Sequence, residues 1–325
     1  MTYPHESSAP SARAFTQSDD AYSPIYQHPL AYLLGVEGIA LMKAFAGEFG
    51  KEFTTARLAE LRALLDAAET LGDGVVVPPM SSTDGYDGWA STYDDPGNGL
   101  FDIEGPPVRS IIDQLPVGFA VDAACGTGRH TEYLSSRGHR CAGLDTSPQM
   151  LAIARAKVPA ATFATADIRS LPLATSTVDL VVCAVALAHL QDLAPAFREF
   201  ARILAPGGHL VVSDTCGHFI GSRLYPLVKW DLNDEFGYVP TWQHRTGDYL
   251  RAALPQGFLV RGCEELMRPS PPVDVESVTT PAPPEYPEEP PNVWALHPWA
   301  AEATNAAYRD HPAAIVWHFQ LDTAT

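Results

Sequence analysis

Positive charge is what this chain has least of. It sets 21 lysines and arginines against 39 aspartates and glutamates, for a net charge of −18, and no Lys/Arg-rich block offsets the deficit locally. A surface that negative repels phosphate backbones and disfavours RNA or DNA as a partner, although acidity also serves plain solubility. Paired cysteines are lacking too. Cys125, Cys141, Cys183, Cys216 and Cys263 are odd in number, widely spread and without C-x-x-C or Cys/His ligand spacing. Neither a disulfide framework nor a metal centre is expected from them. No apolar run approaches a membrane span, and the opening MTYPHESSAPSARAF has no apolar signal core. A cytoplasmic location without a membrane partner is therefore expected.

What is present is enough apolar material for a large core. Of the 325 residues, 46% are hydrophobic, an ordinary globular share. From Gly118 onward, strand-like and helix-like segments alternate regularly. Strands are expected over 119–123 and 140–144, then in ATFATAD, ending at Asp167, and in VDLVVCAVA. The last of these is continuously apolar after Asp179, as a central strand covered on both faces should be. A helix through Phe197, Phe200 and Ile203 leads by Ala205-Pro206-Gly207-Gly208 into a fifth strand, HLVVSDT. FLVRGCEEL (258–266) and AAIVWHFQL (313–321) supply two more, the last placed to pair back into the sheet. The pattern predicts an α/β fold: a Rossmann-like, doubly wound, mainly parallel seven-stranded sheet with an N-terminal helical extension and a C-terminal insertion.

Chemistry concentrates between Phe119 and Asp145, in FAVDAACGTGRHTEYLSSRGHRCAGLD. Apolar residues run into Asp122, Gly126-Thr127-Gly128 turn the chain sharply, a helix follows, and a second strand ends on Asp145. Glycines at such a turn let backbone approach a ligand, and the terminal acid can accept hydrogen bonds from both ribose hydroxyls. A dinucleotide site begins the same way, but it needs a third glycine where this chain has Thr131. Asp122 would also sit beside the diphosphate and repel it. A carboxylate there suits an ammonium group, so the loop looks made for a cationic nucleoside. Ser147-Pro148 next offers a helix N-cap followed by proline at the first helical position.

Four stretches result. Residues 1–24 read as a disordered lead-in. Residues 25–82 form a helical extension, with Leu33, Leu34, Ile39, Met42, Phe45 and Phe49 lining one helix and Leu58, Leu61, Leu64 and Leu65 a second. Residues 83–216 make the nucleoside-binding core. Residues 217–325 hold an aromatic-rich insertion or lid, a proline-rich loop over 269–291 expected to be polyproline or irregular, and the closing strands. Just before the first core strand, Tyr86, Trp89 and Tyr93 fall three or four residues apart. One helical face would carry all three rings, either buried against the core or laid over ligand.

With these residues in view, the chain resembles class I S-adenosylmethionine-dependent methyltransferases, particularly small-molecule types similar to the menaquinone- and ubiquinone-biosynthesis enzymes. The resemblance rests on VDAACGTGRHTEYL, GLDTSPQML, ATADIRSLPLATSTVDLVVCAVALAHL and EFARILAPGGHLVVSD, in that order. YDGWASTYD also looks like the segment preceding the first strand in such enzymes. The resemblance implies S-adenosylmethionine as cofactor. Asp122, Ala123 and the backbone from Ala124 through Gly126 to Gly128 would hold the methionine end, with Arg129 near its carboxylate. Asp145 would bridge the ribose hydroxyls, and Thr146 and Met150 would line the adenosine. Asp167 would take the adenine amino group and the Ile168 backbone a ring nitrogen, while Ala184 and Tyr93 would lie near the sulfonium and its cover. Where the family has its first loop glycine, this chain has Ala124.

Methyl transfer asks mainly for alignment and exclusion of water, with a base only when the nucleophile must lose a proton. His189, in AVALAHL, carries two readings, as base and as a structural histidine at the next helix. His244, in WQHRTGDYL, is a second base candidate or a solvated loop residue. Tyr86, Trp89 and Trp242 are the expected substrate contacts. The expected reaction moves a methyl group to oxygen, nitrogen or carbon of a small-molecule metabolite. Its rivals are a non-methylating S-adenosylmethionine enzyme such as a cyclase or lyase, an NAD(P)-dependent oxidoreductase and a non-catalytic sensor.

Overall fold

The computed structural model describes residues 22–96, 98–216, 222–268, 272–277, 290 and 293–323. Most of the expected lead-in and most of the proline-rich loop lie outside those residues. In chain order come β1 (Ile25–Gln27), α1 (Pro29–Phe45), α2 (Lys51–Asp66), β2 (Val75–Val77), α3 (Ser82–Trp89), α4 (Gly99–Ile112), β3 (Phe119–Ala123), α5 (Arg129–Ser136) and β4 (Arg140–Asp145). There follow α6 (Pro148–Lys157), β5 (Thr162–Thr165), β6 (Val178–Ala184), α7 (Ala194–Ile203), β7 (Leu204–Thr215), β8 (Leu224–Trp230), β9 (Phe236–Trp242) and α8 (Thr246–Ala253). The chain closes with β10 (Phe258–Met267), α9 (Val293–Leu296), α10 (Ala301–Tyr308) and β11 (Pro312–Leu321).

Seven strands form the main sheet in the order β10-β11-β7-β6-β3-β4-β5. β3 pairs in parallel with both β4 and β6, whereas β11 is antiparallel to β7 and β10. The expected last strand thus does pair back into the sheet. Two buried clusters cover the faces. One gathers Phe197 and Phe200 of α7 with Phe258, Trp317 and Phe319, and ring centroids 5.7–6.1 Å apart at steep angles give edge-to-face packing. The other sets Val108, Ile112 and Leu134 on Ala120, Leu180, Val182 and Val316.

The N-terminal extension packs elsewhere than its leucine pattern suggests. Met42 is 74% exposed and Phe45 96%, and Leu58 and Leu65 are also exposed. The buried stripe of α1 is Leu33, Val36, Ala40 and Ala44, set against Ala300, Ala303, Ala306 and Ala307 around α10. Small residues on both helices let the backbones come close, so bulkier side chains turn outward. α2 buries Phe53 and Leu64, and with them Arg57 on Glu60 at 2.7 Å.

The aromatic-rich insertion becomes an antiparallel β8–β9 ribbon with Pro226 opposite Pro240. Its turn is held by the Asp231 carboxylate, which accepts from the Asn233 and Glu235 amides at 2.7 and 3.0 Å. The third core strand stops at Thr165 rather than Asp167, which lies in the following turn.

Candidate functional site

The order of strands reverses at β3: β4 and β5 lie to one side, β6 and β7 to the other. Crossover connections diverge there, opening a crevice beyond the carboxyl ends of β3 and β6, where α/β sheets place ligands. The backbone in this crevice is unusual. After β3, Ala124 takes φ +61°, and Gly126 and Gly128 take +52° and +83°. Gly128 has no alternative, since a Cβ there would also lie 3.1 Å from the Ala154 Cβ. After β6, Val185 adopts φ +55°, a left-handed conformation that costs a β-branched residue roughly 1–3 kcal/mol. The Val185 amide is secured on the Ser213 carbonyl at 2.8 Å.

A cavity of about 530 Å³ fills the crevice. Ala124, Gly126, Asp145, Thr146, Met150, Asp167 and Ile168 line it. So do Ala184, Val185, Tyr86 and His189, and the Tyr93 ring lies against Gly126. Asp145 accepts from the Gly126 amide at 2.8 Å and the Ser147 amide at 2.9 Å, one on each carboxylate oxygen. The Thr146 amide also acts on this carboxylate, which has about four acceptor positions in all and so keeps room for a further donor. Burial raises the pKa of Asp145, against the pull of those amides. At Asp167 burial also pushes upward, but the Arg169 side chain and amide outweigh it, and the carboxyl is held below its usual range. The Arg169 guanidinium straddles Asp167 with contacts of 2.6–3.1 Å. Among the described residues no other arginine or lysine lines this cavity.

The aromatic segment lies over the crevice because two acids fasten it. Asp87 accepts from the Ser147 hydroxyl and, at 3.1 Å, from the Gln149 amide, joining α3 to the start of α6. Ser147 simultaneously caps α6, its hydroxyl accepting from the Met150 amide at 3.1 Å, with Pro148 at the first helical position as expected. Farther along, Asp94 accepts from the Thr127 hydroxyl at 2.8 Å and pairs with Lys157 at 2.7 Å. Neither acid was marked as a site residue by spacing; both lie in the segment YDGWASTYDD, among the rings they position.

Tyr86 and His189 meet at the roof, with the phenol oxygen 2.8 Å from Nε2 and the Pro240 carbonyl 3.3 Å from Nδ1. A carbonyl can only accept, so Nδ1 carries the proton and Nε2 accepts from the Tyr86 hydroxyl. Burial lowers the pKa of His189, which favours this neutral form. Burial also pushes the Tyr86 phenol well above its ordinary value. The two side chains thus form a neutral hydrogen-bonded pair, and both line the cavity.

Several expected site residues stand elsewhere. Asp122 is only 2% exposed and accepts from the Thr131 hydroxyl at 2.6 Å, so it lies behind the cavity wall rather than on it. The residue that replaces the third glycine is thus its partner. Ala123 is fully buried in β3, and Gly128 turns toward α6. Arg129 does not reach the cavity: it pairs with Glu104 of α4 and covers the Phe101 ring at 4.3 Å. His244 is neither a solvated loop residue nor a base over the pocket. It is buried, and its Nε2 donates to the Leu190 carbonyl at 2.8 Å, tying the insertion to the loop that bears His189. Trp242 does not line the cavity and instead faces Tyr22, with ring centroids 6.4 Å apart. Trp89 turns to the far side of α3, where Lys229 Nζ sits 3.1 Å from its ring centroid.

Residues 121–212 match the profile of a family described as a methyltransferase domain. Tocopherol O-methyltransferase of Arabidopsis thaliana, a chloroplastic protein, is 31% identical over 142 residues, covering 40% of each chain. Malonyl-acyl-carrier-protein O-methyltransferase of Pectobacterium atrosepticum is 40% identical over 88 residues, 27% of this chain and 35% of that one. Trans-aconitate 2-methyltransferase of Methylobacterium nodulans is 39% identical over 111 residues, 33% of this chain and 43% of that one. The chain therefore spans less than half the length of each of these relatives. The stretch of this chain that matches the methyltransferase-domain profile runs from β3 through β7 and so includes the glycine loop and the strand carrying Ala184. Among the described residues no helix is long and apolar enough to cross a membrane.

Proposed function

We propose that the whole chain transfers the methyl group of S-adenosylmethionine to an oxygen, nitrogen or carbon of a small molecule. The observation that carries this reading is one cavity lined by both the carboxylate of Asp145 and the Tyr86–His189 pair. When bound, the cofactor supplies an electrophilic methyl group on a cationic sulfur. Asp145 would hold the ribose hydroxyls, Thr146 and Met150 would flank the adenosine, and Asp167 with the Ile168 backbone would take the base. Asp122, fixed by Thr131 behind the wall, and Asp145 give this end a negative field that suits a cationic nucleoside and opposes a diphosphate.

The chain's own chemistry is then a proton transfer and the exclusion of water. An acceptor O–H or N–H would give its proton to the Tyr86 oxygen as the new bond to carbon forms. Tyr86 would pass its own proton to His189 Nε2, while the Pro240 carbonyl keeps the imidazole in the accepting tautomer. Tyr93 and α3 shield the reacting end. The relatives named as O-methyltransferases and the trans-aconitate enzyme support a small, acidic or hydroxylated acceptor.

The test supplies the full chain with methyl-labelled S-adenosylmethionine and pooled metabolites. A mass gain of one methyl group with formation of S-adenosylhomocysteine is expected. Release of an adenosyl fragment without a methylated product would reassign the chain to cofactor cleavage, and calorimetric binding of NAD but not S-adenosylmethionine would remove the cofactor.

A further inference from the structure

A second cavity, about 780 Å³, lies on the other side of α3 and shares no lining residue with the first. Its walls are β1 and the start of α1, the end of α3, and β8. The separation is tight: at Gly88 a Cβ would lie 2.0 Å from the Trp230 carbonyl oxygen, so α3 rests directly on the ribbon. Trp89, Tyr225, Trp230, Tyr26 and Tyr32 make the lining aromatic.

Its charge is the unusual feature. Lys229 lines it, and among the described residues no aspartate or glutamate does; Pro290 and the α9 residues Val293 and Leu296 complete the lining. Among the described residues the Lys229 ammonium has no ion pair or hydrogen bond, and its one neighbour of note is the Trp89 ring. A ring face offsets only part of what an ammonium loses when it leaves water. Burial accordingly pulls the lysine down to about 8. A half-buried cation with no counter-charge among the described residues, in a cavity otherwise lined by aromatic rings, is a place where a negative group from outside can bind. Such a volume is that of a small-molecule site.

We infer that this second cavity binds a small aromatic carboxylate, its ring among Trp89, Tyr225 and Trp230 and its carboxylate on Lys229. His28 can assist, because its Nδ1 accepts from the Leu30 amide at 3.1 Å and so leaves the ring proton on Nε2. The inference does not depend on what fills the first cavity.

Calorimetry on the full chain would use 1-naphthaleneacetate and its neutral isostere 1-naphthaleneacetamide. At pH 6.5 the carboxylate should bind about tenfold more tightly, as expected for one charge-assisted contact. The preference should shrink as pH rises from 7 to 9 and the ammonium loses its proton, and it should vanish in Lys229→Met. Saturating S-adenosylhomocysteine should leave the titration in place. Equal binding of acid and amide, binding of neither, or an undiminished preference in Lys229→Met would each overturn the site. Displacement by S-adenosylhomocysteine would move the ligand to the first cavity and overturn it equally. Should Lys229→Met fail to fold, Lys229→Gln provides the same charge deletion, and the pH series on the unaltered chain still decides.

Discussion

The cavities on either side of α3 are opposites in charge. The first has Asp145 and Asp167 on its wall and buried Asp122 behind it, and its one lining cation, Arg169, is engaged by Asp167. The second has Lys229 and, among the described residues, no carboxylate. One helix serves both, presenting Tyr86 to the first and Trp89 to the second, with ring centroids 5.9 Å apart. The contrast shows how a strongly acidic chain can discriminate ligands: net charge sets the background, and each cavity is defined by which acids are kept out of it. A cationic nucleoside and an anionic aromatic would then sort themselves between sites only one helix apart.

The sharpest way to break the first half of that contrast is Tyr86→Phe. It removes the oxygen that faces an acceptor while keeping the ring, and turnover should fall about a hundredfold, within the range of a lost proton acceptor. Affinity for S-adenosylmethionine should change less than twofold. Steady-state kinetics beside calorimetry separates the two quantities, and unchanged turnover would make the Tyr86–His189 pair a purely structural contact. Asp145→Ala should do the reverse, weakening S-adenosylmethionine by roughly 1–3 kcal/mol, the cost of poorly satisfied hydroxyls. Naphthaleneacetate binding should not move. If cofactor affinity survives the Asp145 change, the ribose lies elsewhere.

A third buried acid sharpens the comparison from below. Asp214, at the end of β7, is 1% exposed and accepts from the Tyr249 hydroxyl at 2.9 Å and the Thr215 amide at 2.8 Å. Burial pushes its carboxyl up to about 7 despite those donors. An acid whose folded pKa exceeds its unfolded value keeps a proton in the native state that the unfolded chain has released. Stability from this group is therefore intact at low pH, falls as pH rises from about 4 to 7, and levels off above. Asp214→Asn should remove that slope and leave the variant about 2–3 kcal/mol more favourable, relative to the parent, at pH 8 than at pH 5. Denaturant unfolding at the two pH values measures it; parallel behaviour of both proteins would mean Asp214 is ionised throughout.

The parts of this molecule legible in the sequence are those where one local rule dominates. The core strands announce themselves by apolar runs, and the glycine loop and Asp145 by spacing, because backbone approach and a terminal acid admit few residue choices. Legibility fails where two rules conflict. Pro106 and Pro107 lie inside α4, and Pro226 faces Pro240 across the ribbon, so proline masks both elements. In α1 nearly every position is apolar, and only the alanines of α10 decide which stripe is buried. Side-chain direction is the other gap. The three rings of Tyr86, Trp89 and Tyr93 do pack together, with Trp89 4.8 Å from Tyr93 between centroids, but α3 lies between two cavities, so Tyr86 and Tyr93 line one and Trp89 the other. Asp87, Asp94 and Thr131 act through partners 9 to 63 residues away, which no local pattern encodes.

The smallest effect tests the glycine loop itself. Ala124 stands where the resemblance calls for glycine and holds φ +61°, at a strain cost of about 1–2 kcal/mol for a residue with a Cβ. The Cys125 amide, bonded to the Leu144 carbonyl at 2.9 Å, keeps the turn in place. Ala124→Gly relieves the strain but gives the unfolded chain more freedom, worth about 0.5–1 kcal/mol the other way. The net gain should be about 0.5 kcal/mol, a rise in melting temperature of roughly 1 °C. Cofactor affinity should shift less than twofold, since the loop already has its bound shape. A large gain in affinity would instead mean that the Ala124 methyl intrudes on the ligand, and that the first cavity is selected by volume as well as by charge.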